Sequence, residues 1–256
     1  DSISTAEVIG WIMECQEKGL VRPDDLDGLS ITWGDKEKIR EVADMIAFRR
    51  GVGERLANGA TKLSEGFSEE ARKLVMQVKG LDIICGDPRG IKAYGLTYAV
   101  ASRGADHLRA EPYFELTNRK EEAKKRFGTE KAADRLAEEG KAALVTYSEK
   151  IALITDSLTM CKNIGLCMDI LNFENVTSLL RYGTGIDYSP DYLQKITADS
   201  IDLEHELNKK LGVKREDDTL PERFQKEPLT EGPTKGSTVD IKRMVDEYHK
   251  IHKWDD

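Results

Sequence analysis

No stretch of the 256-residue chain approaches the roughly 20 consecutive apolar residues that a membrane-spanning helix needs. The opening DSISTAEVIG has neither a basic segment nor an initiating methionine, and the chain is expected to be soluble and a piece of a longer protein. Net positive charge is lacking, although the chain is rich in charge at 34% Asp, Glu, Lys and Arg. With 39 Lys and Arg against 47 Asp and Glu, the net charge is −8, which argues against a phosphate-backbone partner such as nucleic acid. Cysteine is scarce too, with Cys15, Cys85, Cys161 and Cys167 far apart save for the last two, in a chain too large to need disulfide staples. A reducing cytoplasm fits this usage. The four cysteines and four histidines show no spacing of a self-contained zinc site. Neither a GxGxxG nor a P-loop pattern is present, and there is no internal repeat or low-complexity tract.

What is present is apolar residues at helical spacing: Val8, Ile12 and Cys15; Ile39, Val42, Ala43 and Ile46; Ile196, Ile201, Leu203 and Leu207. A mainly α protein of about nine helices is expected. Start and stop signals agree, since Gly19 follows MECQEK, Asp35 precedes KEKIREVADMIAFRR, Ser68 opens EEARKLVMQV, and SPDYLQ puts Pro190 in a first helical turn. Only LDIIC at 81–85 has the β-rich look of a strand, followed by the turn-like GDPRG, and it marks a boundary between a first unit, 1–80, and a second, 81–256. NRKEEAKKRFGTEKAADRLAEEGK reads as a charge-dense helical pair on the surface. DDTLPERFQKEPLTEGPTKGST reads as a Pro/Gly-broken excursion before a last helix, DIKRMVDEYHKIHKW.

Few residues carry chemistry. His107 follows an apolar helix and the Gly104 break, in a cluster with Arg103, Asp106 and Arg109. It is either one of several solvated charges at a helix end or an imidazole held beside a pocket, where it could take or give a proton near neutral pH. Cys161 and Cys167, six residues apart in ITDSLTMCKNIGLCMDILNF, would point roughly 120° apart on an α-helix, so they do not easily serve one site. Each is either a small buried hydrophobe or a ligand. His205, His249 and His252 sit in charged helices and are expected at the surface.

These motifs add up to a family. VKGLDIICGDPRGIKAYGLTYAVASRGADHLRA, with DPRG, an apolar helix and RGxxH in order, resembles the signature region of the aldehyde ferredoxin oxidoreductases, tungstopterin enzymes that also carry an iron–sulfur cluster. DSISTAEVIGWIMECQEKGL, DDTLPERF, EGPTKGSTVD and MVDEY resemble further landmarks, so the likeness covers nearly the whole chain. It implies a multi-helical, two-domain arrangement like domains 2 and 3 of that family, with 1–80 the end of the second domain and 81–256 the third.

The resemblance also implies roles. The family approaches its two pterins with two segments of the form D-x-x-G-L-(C/D), and the cysteine of the second ligates the cluster. DSLTMCK supplies Asp156 and Cys161 at that separation, with Lys162 following, although Thr159 stands where the family has Gly and Met160 where it has Leu. The competing register KNIGLC restores Gly165 and Leu166 but places Lys162 where the aspartate belongs; Cys161 is preferred over Cys167 as the metal ligand. Asp1 would close the first pterin segment, His107 falls where the family has a histidine near the metal, and Arg109 could face anionic cofactor phosphates.

The implied protein is a cytoplasmic oxidoreductase with a tungsten, or molybdenum, bis-pterin and a 4Fe–4S cluster. It would oxidise aldehydes to carboxylic acids, pass electrons to ferredoxin or another electron-transfer protein, and admit a homo-oligomer. The remaining cluster cysteines and the sheet domain lie upstream of Asp1 in the family, so the 256 residues are not expected to be active alone. Two alternatives stand beside this: a benzoyl-CoA reductase-type tungsten enzyme acting on an aromatic acyl-CoA, and a helical interaction module without cofactor.

Overall fold

The computed structural model describes residues 1–254 and falls into two compact units, Asp1–Ile84 and Cys85 onward. In the first, α1 (Ser2–Glu17) starts at an N-cap: the Asp1 carboxylate accepts from Ile3 N at 2.8 Å and Ser4 N at 3.4 Å. Its Val8, Trp11, Ile12 and Cys15 are buried among Leu26, Val42, Leu56 and Ala60. Around it lie α2 (Lys36–Ala47, capped by Asp35), α3 (Gly53–Leu56), α4 (Gly59–Ser64) and α5 (Glu69–Arg72, capped by Ser68). Trp11 is 2% exposed and donates from Nε1 to the Ala71 carbonyl at 2.8 Å, which locks α1 to α5. The helix expected after Ser68 is therefore a single turn. Beyond it the chain turns inward at Val75 and forms an antiparallel hairpin, β1 (Gln77–Val78) with β2 (Leu81–Asp82). Lys79 (φ +50°) and Gly80 (φ +82°) form its two-residue turn, the geometry that matches strand twist. The strand expected at 81–85 pairs only at Leu81 and Asp82.

The second unit is organised around α8 (Lys141–Ser157), against which α6 (Lys92–Val100), α10 (Pro190–Lys210, capped by Ser189) and α12 (Ile241–His252, capped by Asp240) all pack. The other helices are α7 (Lys120–Phe127), α9 (Phe173–Thr184) and the short α11 (Glu222–Lys226). The expected charge-dense helical pair at 118–141 is a correction. Only its first half is α7; Gly128 (φ +80°) ends it, and a 3₁₀ turn over Glu130–Ala133 follows with Ala132 and Ala133 buried.

Every residue of α6 is buried, and its N-cap Ile91 has no side chain to cap it. Glu115, far along the chain, does so instead: it accepts from Ala93 N at 2.9 Å and Tyr94 N at 3.4 Å. Lys141 lies 3.2 Å from Glu115, both side chains fully buried, and also donates to the carbonyls of Ala132 at 3.0 Å and Asp134 at 2.8 Å. Burial pushes the Glu115 carboxyl up and the Lys141 ammonium down, while each partner resists the other's shift.

The expectation that His205, His249 and His252 sit at the surface is also corrected. His249 is 1% exposed, with Nε2 2.8 Å from Asp218 and Nδ1 3.3 Å from the Arg215 guanidinium. His205 stacks on Trp254 at 3.6 Å, and His252 lies 4.5 Å from the same ring and 3.1 Å from the Thr146 hydroxyl. The three rings form one aromatic cluster around Trp254, so charged neighbours in sequence mark only the outer faces of α10 and α12.

Candidate functional site

The DPRG and EGPTKGST motifs, well apart in sequence, meet in the second unit. Arg89 grips Asp87 with two nitrogens at 3.0 and 2.7 Å and donates to the Glu227 carbonyl at 2.8 Å. Lys92, buried at the head of α6, donates to the Ser237 hydroxyl at 3.0 Å and to the Thr238 carbonyl, and Ser237 in turn donates to the Arg89 carbonyl at 2.6 Å. These polar anchors hold the start of α6. Past the end of that helix the chain runs through Arg103, paired with Asp106, into a 3₁₀ turn over His107–Arg109 whose cap is Asp106, accepting from Leu108 N at 2.9 Å.

The C-terminus of α8 faces that turn. Met160 N donates to the Thr155 carbonyl at 2.8 Å and Thr159 N to the Asp156 carbonyl at 3.1 Å, which is the paired bonding of a Schellman end. Such an end needs a left-handed residue at its penultimate position, and Thr159 occupies it at φ +54°. A β-branched side chain is strained there, where glycine is not. Thr159→Gly is therefore expected to stabilise the unit by a net 0.5–1 kcal/mol or so, the relieved strain exceeding the extra chain entropy of glycine. Urea unfolding of the two proteins measures it, and a loss of stability would mean that the turn is not strained.

Beyond this end Cys161 is exposed, and Lys162 reaches back to donate to Asp156 Oδ2 at 2.8 Å and to the Leu108 carbonyl. Lys162 thus joins the Asp156 carboxylate, itself exposed, to the turn that carries His107. Arg109 points elsewhere: its guanidinium pairs with Glu204 on α10, so its charge is already answered within the unit. Asp1 belongs to the first unit, where its carboxylate is exposed and caps α1.

Asn163–Cys167 forms a π-helical turn, a wound-open geometry in which Gly165 sits directly on α8. A Cβ there would meet Thr155 Cγ2 at 2.7 Å, so packing alone accounts for Gly165 in the IGLC segment. Cys167, half-buried, donates from its thiol to Glu111 Oε1 at 3.2 Å and to Asn163 Oδ1 at 3.3 Å. Burial, followed by the Glu111 carboxylate, pushes this thiol up to about 12. Glu111 was not legible as a site residue: it is 8% exposed at φ +44°, and only contacts distant in sequence place it there.

No set of three His, Cys, Asp or Glu residues able to hold a metal exists among the described residues. A groove of about 300 Å³ between α8, α9 and α10, lined by residues such as Leu153, Leu180, Tyr192 and Ile196, has no charged lining side chain and does not suit an anionic group. The donors that do fit the implied groups are partial: one exposed thiol at Cys161, and one exposed carboxylate at Asp156 held by Lys162. No helix of the described residues is long and apolar enough to cross a membrane.

Comparison with known proteins agrees over the full length. A sequence model of the family described as "Aldehyde ferredoxin oxidoreductase, domains 2 & 3" matches residues 1–256. The chain is 31% identical over 268 residues to a tungsten-containing aldehyde ferredoxin oxidoreductase of Pyrococcus furiosus and 30% identical to that of Thermococcus kodakarensis, in each case with 99% of this chain aligned to 40% of the relative. It is 27% identical to the WOR-like subunit of an aliphatic sulfonate oxidoreductase of Pyrococcus furiosus. The chain thus spans about two fifths of the length of the relatives it matches. Among solved structures, the active site complex BamBC of benzoyl coenzyme A reductase superposes with a TM-score of 0.71 at 18% identity, over 100% of this chain and 42% of that one, a likeness of fold. Full-length agreement of motif order, helical architecture and sequence makes this chain a member of the aldehyde ferredoxin oxidoreductase family, over the part described as its domains 2 and 3.

Proposed function

We propose that this chain is the part of a tungsten bis-pterin, iron–sulfur oxidoreductase that closes one side of the cofactor site, in a protein oxidising aldehydes to carboxylic acids with ferredoxin as electron acceptor. The observation that carries the reading is the exposed Cys161 thiol, set five residues beyond an exposed Asp156 whose carboxylate Lys162 holds in place. Cys161 would supply a thiolate ligand to the cluster, and Asp156 would accept from pterin amine groups. Lys162 holds that carboxylate in place, and by bonding the Leu108 carbonyl it fixes the turn that presents His107. His107 takes up or returns a proton at a ring nitrogen. Arg109, bound to Glu204, secures the same turn to α10 rather than reaching a phosphate. The bound tungsten and cluster supply the oxygen-transfer and electron chemistry; this chain's side chains bind, orient and exclude water. The family resemblance gives Asp1, the cap of α1, the closing position of the other pterin segment.

Iron content decides between the two cysteines. Cys161→Ala in the full-length protein is expected to remove cluster iron and activity with simple aldehydes. Cys167→Ala is expected to keep both, at a stability cost of about 1–3 kcal/mol, because the buried Glu111 carboxylate loses its donor. Iron lost from the Cys167 variant and kept in the Cys161 variant would overturn the assignment.

A further inference from the structure

Two cysteines stand six residues apart beside one another's segment, and a thiolate is what iron, other soft metals and electrophiles all seek. Something must keep the second from competing with the first. Cys161 is exposed beyond the end of α8, whereas Cys167 is folded into the π-helical turn with two oxygens on its sulfur. One of them belongs to a carboxylate. Glu111 Oε1 lies 3.2 Å from Sγ, and Glu111 Oε2 is buried with no hydrogen-bond partner among the described residues. Glu111 lines a cavity of about 10 Å³, room for a single water, walled by Phe114, Tyr147, Ile151 and Leu166. A carboxylate so enclosed, at a backbone φ of +44° that glutamate rarely adopts, pairs with no cationic side chain among the described residues. Its demand for a donor falls on the thiol.

We propose that Glu111 is a specificity-determining residue that holds Cys167 as a neutral thiol and so makes it the silent member of the Cys161/Cys167 pair. The S–H proton stays on sulfur because removing it would leave two anions 3.2 Å apart in a half-buried turn. The other titratable groups near Cys167 do not oppose this: Cys161 pushes it the same way, and Tyr94 on α6, itself pushed up by burial and by Glu111 and Cys167, stays a neutral phenol. The consequence for cluster assembly rests on the assignment of Cys161 as the ligand. The silence of Cys167 rests only on its own contacts.

Alkylation by iodoacetamide at pH 8, followed at each cysteine by peptide mass spectrometry in the full-length protein, tests it, with the exposed Cys85 as internal reference. Wild-type Cys167 should label far more slowly than Cys85. Glu111→Gln keeps the shape and removes the charge, and should raise the Cys167 rate by about tenfold for each unit its pKa falls. Asn163→Ala removes the other sulfur contact and leaves the charge, and should raise it much less. Should Glu111→Gln leave Cys167 as slow as before while Asn163→Ala opens it, the protection is steric and the proposal fails. Labelling of Cys167 that appears in wild type only after chelation of iron would instead identify Cys167 as the cluster ligand and sink the functional assignment above.

Discussion

Glu115→Ala is expected to destabilise the second unit by about 3–5 kcal/mol, the cost of leaving a buried ion without its counterion. Lys141 would keep its fully buried ammonium with only the Ala132, Asp134 and neighbouring carbonyls to answer it. At the same time the first turn of α6 would lose the acceptor for Ala93 N and Tyr94 N, and no cap exists at Ile91 to replace it. Because α6 is buried along its whole length and leads into the turn that carries His107, the damage should reach the site as lower iron content. The paired change Glu115→Gln with Lys141→Met keeps an acceptor for Ala93 N and removes the stranded charge. It should cost much less than Glu115→Ala alone. Chemical unfolding followed by circular dichroism measures all three proteins, and a single-variant loss within the ±0.5 kcal/mol of a surface substitution would mean that the pair is not buried.

The second large effect depends on pH. Glu149 on α8 is buried, accepts from the Tyr248 hydroxyl at 2.7 Å, and is pushed up to about 8, chiefly by burial; Glu204 and Asp218 add to the rise, and Tyr248 and Arg109 oppose it. Between its ordinary carboxylate range and about pH 8 the folded protein holds a proton there that the unfolded chain has released. Stability contributed by this group is therefore full below about pH 4.5 and is lost as pH rises toward 8. His252, pushed down to about 4 by burial, works the other way and costs stability as pH falls through its ordinary range. Glu149→Gln keeps an acceptor for Tyr248 and removes only the rising-pH loss. The variant should match wild type near pH 5 and exceed it at pH 8 by a few kcal/mol, on the order of the shift itself. Urea unfolding monitored through Trp254 at the two pH values reads this, provided Trp11 and Trp33 in the first unit are replaced by phenylalanine in both proteins. An advantage at pH 5 that vanished at pH 8 would reverse the sign and refute the burial argument.

Helix beginnings were legible because a cap is a contact between residues two or three apart: Asp35, Ser68, Ser189 and Asp240 all cap where local sequence points. Helix lengths were less so. EEARKLVMQV carries a helical start and no stop, yet α5 ends at Arg72 because Val75 enters the core and the next residues pair as a hairpin. The second charged segment after Gly128 fails as a helix because its carbonyls, those of Ala132 and Asp134, turn toward the Lys141 ammonium. The buried histidines were misread for a related reason: charge density along α10 and α12 describes the outward faces and is blind to what meets on the inner ones.

For this protein the amino-acid sequence alone determined the helical class, the starts of the long helices, and the motif order that places the chain in its family, since each depends on near neighbours or on spacing. Tertiary structure decided what those residues can do. Lys162 reaches the Leu108 carbonyl across 54 positions, Cys167 meets Glu111 across 56, and Tyr248 meets Glu149 across 99. No local pattern encodes such meetings. They exist because burial of apolar faces around α8 brings the segments together, and the low dielectric of that core then sets which carboxyl, thiol or amine keeps its proton.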